Sequence, residues 1–300
     1  MHDWIVYVVI VDSSQTLRLR SLFYVPFGAL HNGTQYVAQG WGLSLYSPTV
    51  LEHIGDRTAK QWSVLAAGNS TERTVDDGIG SKLRFTSLPG VRAELSRVRQ
   101  SVGAGPAPIL DSEFTLATLK DGLTKQPSVV HLASHFQFDP RAESLSFLLT
   151  GQGEVLRASD TTVLTKDAFK GVDLLTLSAC QTGTFSETAD GMEVEGIASL
   201  MQRKGAGAVM STLWPVADAS TAAFMGTFYT LRAQDPRRTK AWCLREAQLR
   251  MIRGEVAPPG APKVVATRGT TSIKVSTKGL RKDWSHPYHW APFILQGNPL

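Results

Sequence analysis

The chain has 300 residues, 42% of them hydrophobic and 19% charged, with a formal net charge of +5. That length buries a large core in one big or two small domains, and the composition excludes disordered and fibrous classes. The positive excess is concentrated in residues 254–285, where Lys263, Arg268, Lys274, Lys278, Arg281 and Lys282 face only Glu255 and Asp283.

In chain order, residues 4–11 and 17–25 are apolar, β-branched and aromatic, divided by Asp12–Gln15, which predicts a hairpin. Pro26 then breaks the strand. A further apolar stretch runs from Gly40 to Tyr46. From Trp62 the rhythm changes to alternating strands and helices. Trp62–Gly68 reads as a buried strand, 69–87 as a polar loop, and Gly90–Ser101 as a helix with Val91, Leu95 and Val98 on one face. Pro106–Leu110 is a short strand. Asp111 or Ser112 is placed to cap the next helix, whose stripe is Leu116, Leu119 and Leu123. A strand over 128–134 follows, then a possible strand Leu145–Leu149 and a helical turn Thr165–Phe169. The stretch Asp173–Gly183 reads as a buried parallel strand that ends on Cys180 and opens into a glycine-containing turn. Met192–Arg203 is helical, 205–214 is a strand, and helices follow over 218–232 and 238–253. The basic stretch 254–285 reads as a surface loop with one hairpin at 263–276, and a last strand covers 291–297. This alternation predicts right-handed crossovers and an α/β fold around a mainly parallel sheet. Residues 1–100 form a β-rich N-terminal portion and 101–300 a second unit.

Chemistry in open α/β sheets gathers beyond the carboxyl ends of the strands. Two residues stand there, His135 and Cys180. A thiol is mostly protonated near neutral pH, so a nucleophilic cysteine needs an imidazole or helix N-terminus beside it. Cys180 lies at a strand end, where exposure is possible. The spacing alone leaves this reading level with a small buried hydrophobe. His131 and His135 share a strand face; His131, in mid-strand, reads as a packing residue and His135 as the catalytic candidate. Cys243 reads as core, and His286 and His289 as structural. The two cysteines make neither a disulfide framework nor metal-ligand spacing, so no metal and no cofactor is expected. They fit a reducing compartment. No basic leader with a cleavage site and no run of ~18–20 apolar residues is present, so a cytoplasmic chain without a membrane partner is expected. One basic segment lacks the footprint of a nucleic-acid surface.

The segments Val129-Val-His-Leu-Ala-Ser-His135 and Leu174-Leu-Thr-Leu-Ser-Ala-Cys-Gln-Thr-Gly183 resemble the two signature segments of CHAT domains, caspase-like peptidases of the caspase and separase clan. Tyr24-Val-Pro-Phe-Gly-Ala-Leu30, Tyr46-Ser-Pro48, Glu193-Val-Glu-Gly-Ile197, Lys204–Asp218 and His286–Phe293 agree in the family's order. The resemblance implies a caspase-like three-layer fold, a degenerate caspase-like unit in residues 1–100 and a catalytic unit in 101–300, or one continuous CHAT domain. It implies a cysteine endopeptidase with a His135–Cys180 dyad, acting on a protein or peptide substrate. Backbone N–H groups at Cys180 and Phe136 would hold the oxyanion. Asp218, Gln181 and Ser178 are the implied substrate-binding residues. Asp218 matches an acid that receives a basic P1 side chain in separases, while helix capping is its ordinary alternative. CHAT domains commonly follow tetratricopeptide or other sensor regions; none is read here, which implies a separate regulatory partner or a self-contained form. One departure stands out. The family usually has glycine after the histidine, and Phe136 there predicts a conformational cost of roughly 1–2 kcal/mol and a weakened, scaffold-like member as the alternative.

Overall fold

The computed structural model describes residues 5–9, 25–46, 61–76, 82–137, 147–157, 160, 163–178, 192–214, 216, 218–256 and 284–300. In chain order its strands are β1 (Ile5–Val9), β2 (Gly42–Tyr46), β3 (Val64–Gly68), β4 (Arg73–Asp76), β5 (Lys82–Phe85), β6 (Ile109–Leu110), β7 (Val129–Ala133), β8 (Phe136–Gln137), β9 (Phe147–Leu149), β10 (Val155–Arg157), β11 (Leu174–Leu177), β12 (Ala208–Thr212) and β13 (Phe293–Gly297). Its principal helices are α1 (Val91–Val102), α2 (Leu116–Thr124), α3 (Met192–Arg203), α4 (Asp218–Gln234) and α5 (Lys240–Ile252).

Eight strands form one sheet in the order β1-β2-β13-β12-β11-β7-β3-β6. Among the described residues every pairing in it is parallel except β12 with β13. Strands from both sides of residue 100 share this sheet, β3 lying between β6 and β7.

Three layers follow from side-chain alternation. Along β3, Val64 and Ala66 pack on one face with α1, α4 and α5, through Val91, Leu95, Phe228, Tyr229 and Leu244. Leu65 and Ala67 point the other way, into a second core with α2 and α3 through Leu119, Ala198 and Met201. Strands buried on both faces carry near-continuous apolar runs, as Val129–Ala133 and Leu174–Leu177 do with His131 and Thr176 as their single polar members.

Several expectations change. The limb 10–24 of the N-terminal hairpin lies outside the described residues, and β1 pairs in parallel with β2. The polar loop at 69–87 contains an antiparallel hairpin, β4–β5. Each strand buries only one apolar side chain, Val75 and Phe85, so its alternation is faint. Asp111–Glu113 is a separate 3-10 turn, and Thr115 caps α2 by accepting from the Thr118 N–H. Phe147–Leu149 is a strand, but of a small antiparallel sheet β10-β9-β8. The surface loop and hairpin expected within 257–283 lie outside the described residues.

At the amino-terminal edge of β11, Asp173 gathers three elements. Its carboxylate accepts from Lys240 Nζ on α5, and from Trp62 Nε1 at 2.8 Å; Lys240 Nζ also reaches the Leu300 carbonyl. Lys240 is fully buried. Burial pulls its pKa down, and the charge of Asp173 opposes that pull. A buried charge left without its partner is strongly destabilising. Lys240→Met is therefore expected to lower the unfolding free energy by about 3–5 kcal/mol in urea titrations. Lys240→Met combined with Asp173→Asn should be less destabilised than Lys240→Met alone.

Candidate active site

Because β3, β7, β11 and β12 run parallel, the segments after Gly68, Ala133, Leu177 and Thr212 emerge on one edge of the sheet. β13 enters from this edge too, since Phe293 pairs with Thr212. The register of β7 on β11 sets His131 opposite Thr176 and Leu132 opposite Leu177, and the Ser178 N–H donates to the Leu132 carbonyl at 2.8 Å. After β3 the chain crosses to α1 on one face. After β7 it leaves through β8–β10, whose Phe136, Leu148 and Leu156 pack in the core of the other face. The pairing of β3 with β7 runs to this edge, where the Asn69 N–H donates to the Ala133 carbonyl at 3.0 Å, and His135 follows two residues later.

Its imidazole is 2% exposed, tilted against Phe85 with ring centroids 5.1 Å apart. Nε2 lies 2.8 Å from the Thr86 carbonyl oxygen. A carbonyl only accepts, so Nε2 carries the proton and Nδ1 is the basic nitrogen of the neutral ring. Thr86 follows β5, so the hairpin missed by the pattern of 69–87 supplies the group that orients the candidate base.

Phe136 corrects the conformational cost expected of it. It opens β8 opposite Leu148 in extended strand conformation. Among the described residues, the only non-glycine positions with positive φ are Asp111 and Gln126. The left-handed penalty does not arise, and the ring is buried in the core beside α2 and α3. The Leu149 N–H donates to the His135 carbonyl at 2.8 Å, which makes 135 and 149 a hydrogen-bonded pair. In an antiparallel ladder the next pair is not hydrogen-bonded, so the Phe136 N–H points away from β9. β8 is the edge strand of its sheet, and this N–H faces outward.

The other expected residues divide. Cys180 and Gln181 lie outside the described residues, three and four positions after β11 ends. Ser178 is turned inward: its hydroxyl donates to Glu94 Oε1 at 2.5 Å and the residue is 2% exposed. A hydroxyl engaged in the core does not line a substrate cleft, and that expectation is corrected. Asp218 is the first residue of α4. His131 is the packing residue expected, fully buried between Glu94 and Tyr229. Asp173 lies at the opposite edge of the sheet. Cys243 is buried in α5, and burial pushes its thiol up to about 12, which excludes it as a nucleophile near neutral pH. His286 caps the turn Pro287–His289 by accepting from the Tyr288 N–H, and His289 Nδ1 lies 3.1 Å from Ser220 Oγ on α4. Among the described residues no cluster of His, Cys, Asp and Glu could hold a metal ion, and no helix is long and apolar enough to cross a membrane.

This fold is that of caspase-like cysteine proteinases. Arg specific cysteine proteinase gingipain R superposes with a TM-score of 0.51 at 11% identity, over 91% of this chain and 57% of that one. The complex of Porphyromonas gingivalis RgpB pro- and mature domains gives 0.53 at 10% identity, over 98% and 64%. The chain thus spans less than two thirds of either neighbour. No curated protein matches it in sequence. The CHAT domain model matches residues 16–298, and the chain belongs to the CHAT family.

Two outcomes follow from these contacts. Phe136→Gly, which restores the residue usual in the family, is expected to destabilise the protein by about 3–5 kcal/mol in denaturant, because it empties a buried aromatic site. Burial, aided by the charge of His286, lowers the pKa of His289 from 6.5 to about 4. Between those values the unfolded chain binds the proton and the folded one does not. This contribution is present above about pH 6.5 and is lost progressively as pH falls toward 4. Tm measured from pH 7 to 4 should fall less steeply in His289→Gln than in the wild type.

Proposed function

We propose that the chain is a cysteine endopeptidase in which His135 and Cys180 act as a dyad on protein or peptide substrates. The observation that carries this reading is the orientation of His135. Its Nε2–H is held by the Thr86 carbonyl, so Nδ1 is the base, at the edge of the sheet where β11 leads to Cys180. Nδ1 takes the thiol proton and the sulfur attacks the scissile carbonyl carbon. The imidazolium, still held at Nε2, then protonates the leaving amine, and water hydrolyses the thioester. The outward N–H of Phe136 and that of Cys180 stabilise the oxyanion. Membership of the CHAT family and the caspase-like fold support the assignment. Phe136, free of left-handed strain, is compatible with turnover.

The test is incubation of wild-type protein, Cys180→Ala and His135→Ala with a cell proteome, followed by mass-spectrometric identification of new N-termini. Cleavage sites lost in Cys180→Ala and reduced at least ~100-fold in His135→Ala are expected. Identical profiles for all three proteins, with and without candidate regulatory partners, would sink the peptidase reading and favour a scaffold module.

A further inference from the structure

Beneath the candidate site lies a buried polar chain that the peptidase reading leaves unused. Glu94 on α1 is fully buried in the apolar face of its helix, among Val91, Leu95 and Val98. Its Oε1 accepts from Ser178 Oγ at 2.5 Å and lies 3.0 Å from His131 Nε2. A carboxylate only accepts, so His131 donates through Nε2, and in the neutral ring Nδ1 accepts from the Tyr229 hydroxyl at 3.2 Å. With that proton committed, Tyr229 accepts from Thr176 Oγ1 at 2.8 Å. The chain of donors therefore runs in one direction, Thr176 to Tyr229 to His131, and terminates with Ser178 on a single carboxylate oxygen.

The burial of a carboxylate is costly, and such groups persist where they are satisfied by several donors. What this one joins is informative. His131 is on β7, four residues before His135, and Ser178 directly follows β11, two residues before Cys180. One oxygen atom therefore ties together the two strands that carry the proposed dyad.

We infer that Glu94, with His131 and Ser178, is a positioning network that sets the thiol of Cys180 against the imidazole of His135. This inference rests on the dyad reading above. Backbone pairing fixes the register of β7 on β11, and the Ser178 N–H extends it by one bond to the Leu132 carbonyl. The bonds at Glu94 add a side-chain tie between Ser178 and His131 where that pairing ends. Replacing the hydroxymethyl side chain of serine with the methyl of alanine removes that tie without removing the Glu94–His131 pair.

The experiment follows alkylation of Cys180 by iodoacetamide against pH, read by mass spectrometry well below the Tm of each protein. The buried Cys243 serves as the unreactive internal control. Ser178→Ala is expected to raise the midpoint of Cys180 alkylation by about one pH unit and to slow alkylation at pH 7 about tenfold, with Ser178→Thr recovering most of the rate. Glu94→Gln should move the midpoint in the same direction. A merely structural network would lower Tm and leave the midpoint in place, which overturns the inference. His135→Ala separates the two levels. If it shifts the midpoint and the Ser178 and Glu94 variants do not, the dyad stands and the positioning role falls. If His135→Ala leaves the midpoint unmoved, both fall.

Discussion

Parallel pairing of β7 with β11 is the constraint on which the rest of the molecule depends. Two parallel strands cannot be joined by a tight turn, so the chain between them makes a long excursion, through β8–β10 and the turn ending at Val172. That excursion covers one face of the sheet with Phe136, Leu148, Leu156 and Phe169. Because the strands point the same way, both of their carboxyl ends lie on one edge. The same pairing places Asp173 at the opposite edge, where Lys240 and Trp62 close on it.

The two edges are built differently. The amino-terminal edge is closed by a buried ion pair and an indole, a junction of three elements around one carboxylate. The carboxyl edge is held from below by Glu94 and from the side by the β4–β5 hairpin, whose Thr86 carbonyl fixes the His135 ring. After β12, on the same edge, the Trp214 indole N–H donates to the Tyr288 carbonyl at 3.1 Å, and His289 Nδ1 lies 3.1 Å from Ser220 Oγ.

Phe136 shows how a residue's meaning depends on the turn in which it sits. Where the chain turns left-handed after the histidine, glycine is favoured. Here it continues directly into an antiparallel strand, and an aromatic residue both fits the extended backbone and fills the core. The substitution for glycine is explained by β8, and it leaves the outward N–H in place.

The sequence by itself determined the sheet and its helices. Fully buried parallel strands read as short apolar runs, and α1 and α2 carry clear three- and four-residue stripes. The place of His135 at the end of a strand was legible because it follows such a run, and the burial of His131 because it lies within one. What the sequence left open depends on partners far along the chain. The β4–β5 hairpin exposes most of its side chains, so its periodicity is faint, yet it supplies the carbonyl that sets the tautomer of His135. The family resemblance implies a substrate-binding role for Ser178; the approach of α1, 84 positions away, turns its hydroxyl toward Glu94. Glu94 carried no local signal at all, since a glutamate on a helix is ordinarily solvated. Its burial, and the joining of two strands on one oxygen, were decided by tertiary packing.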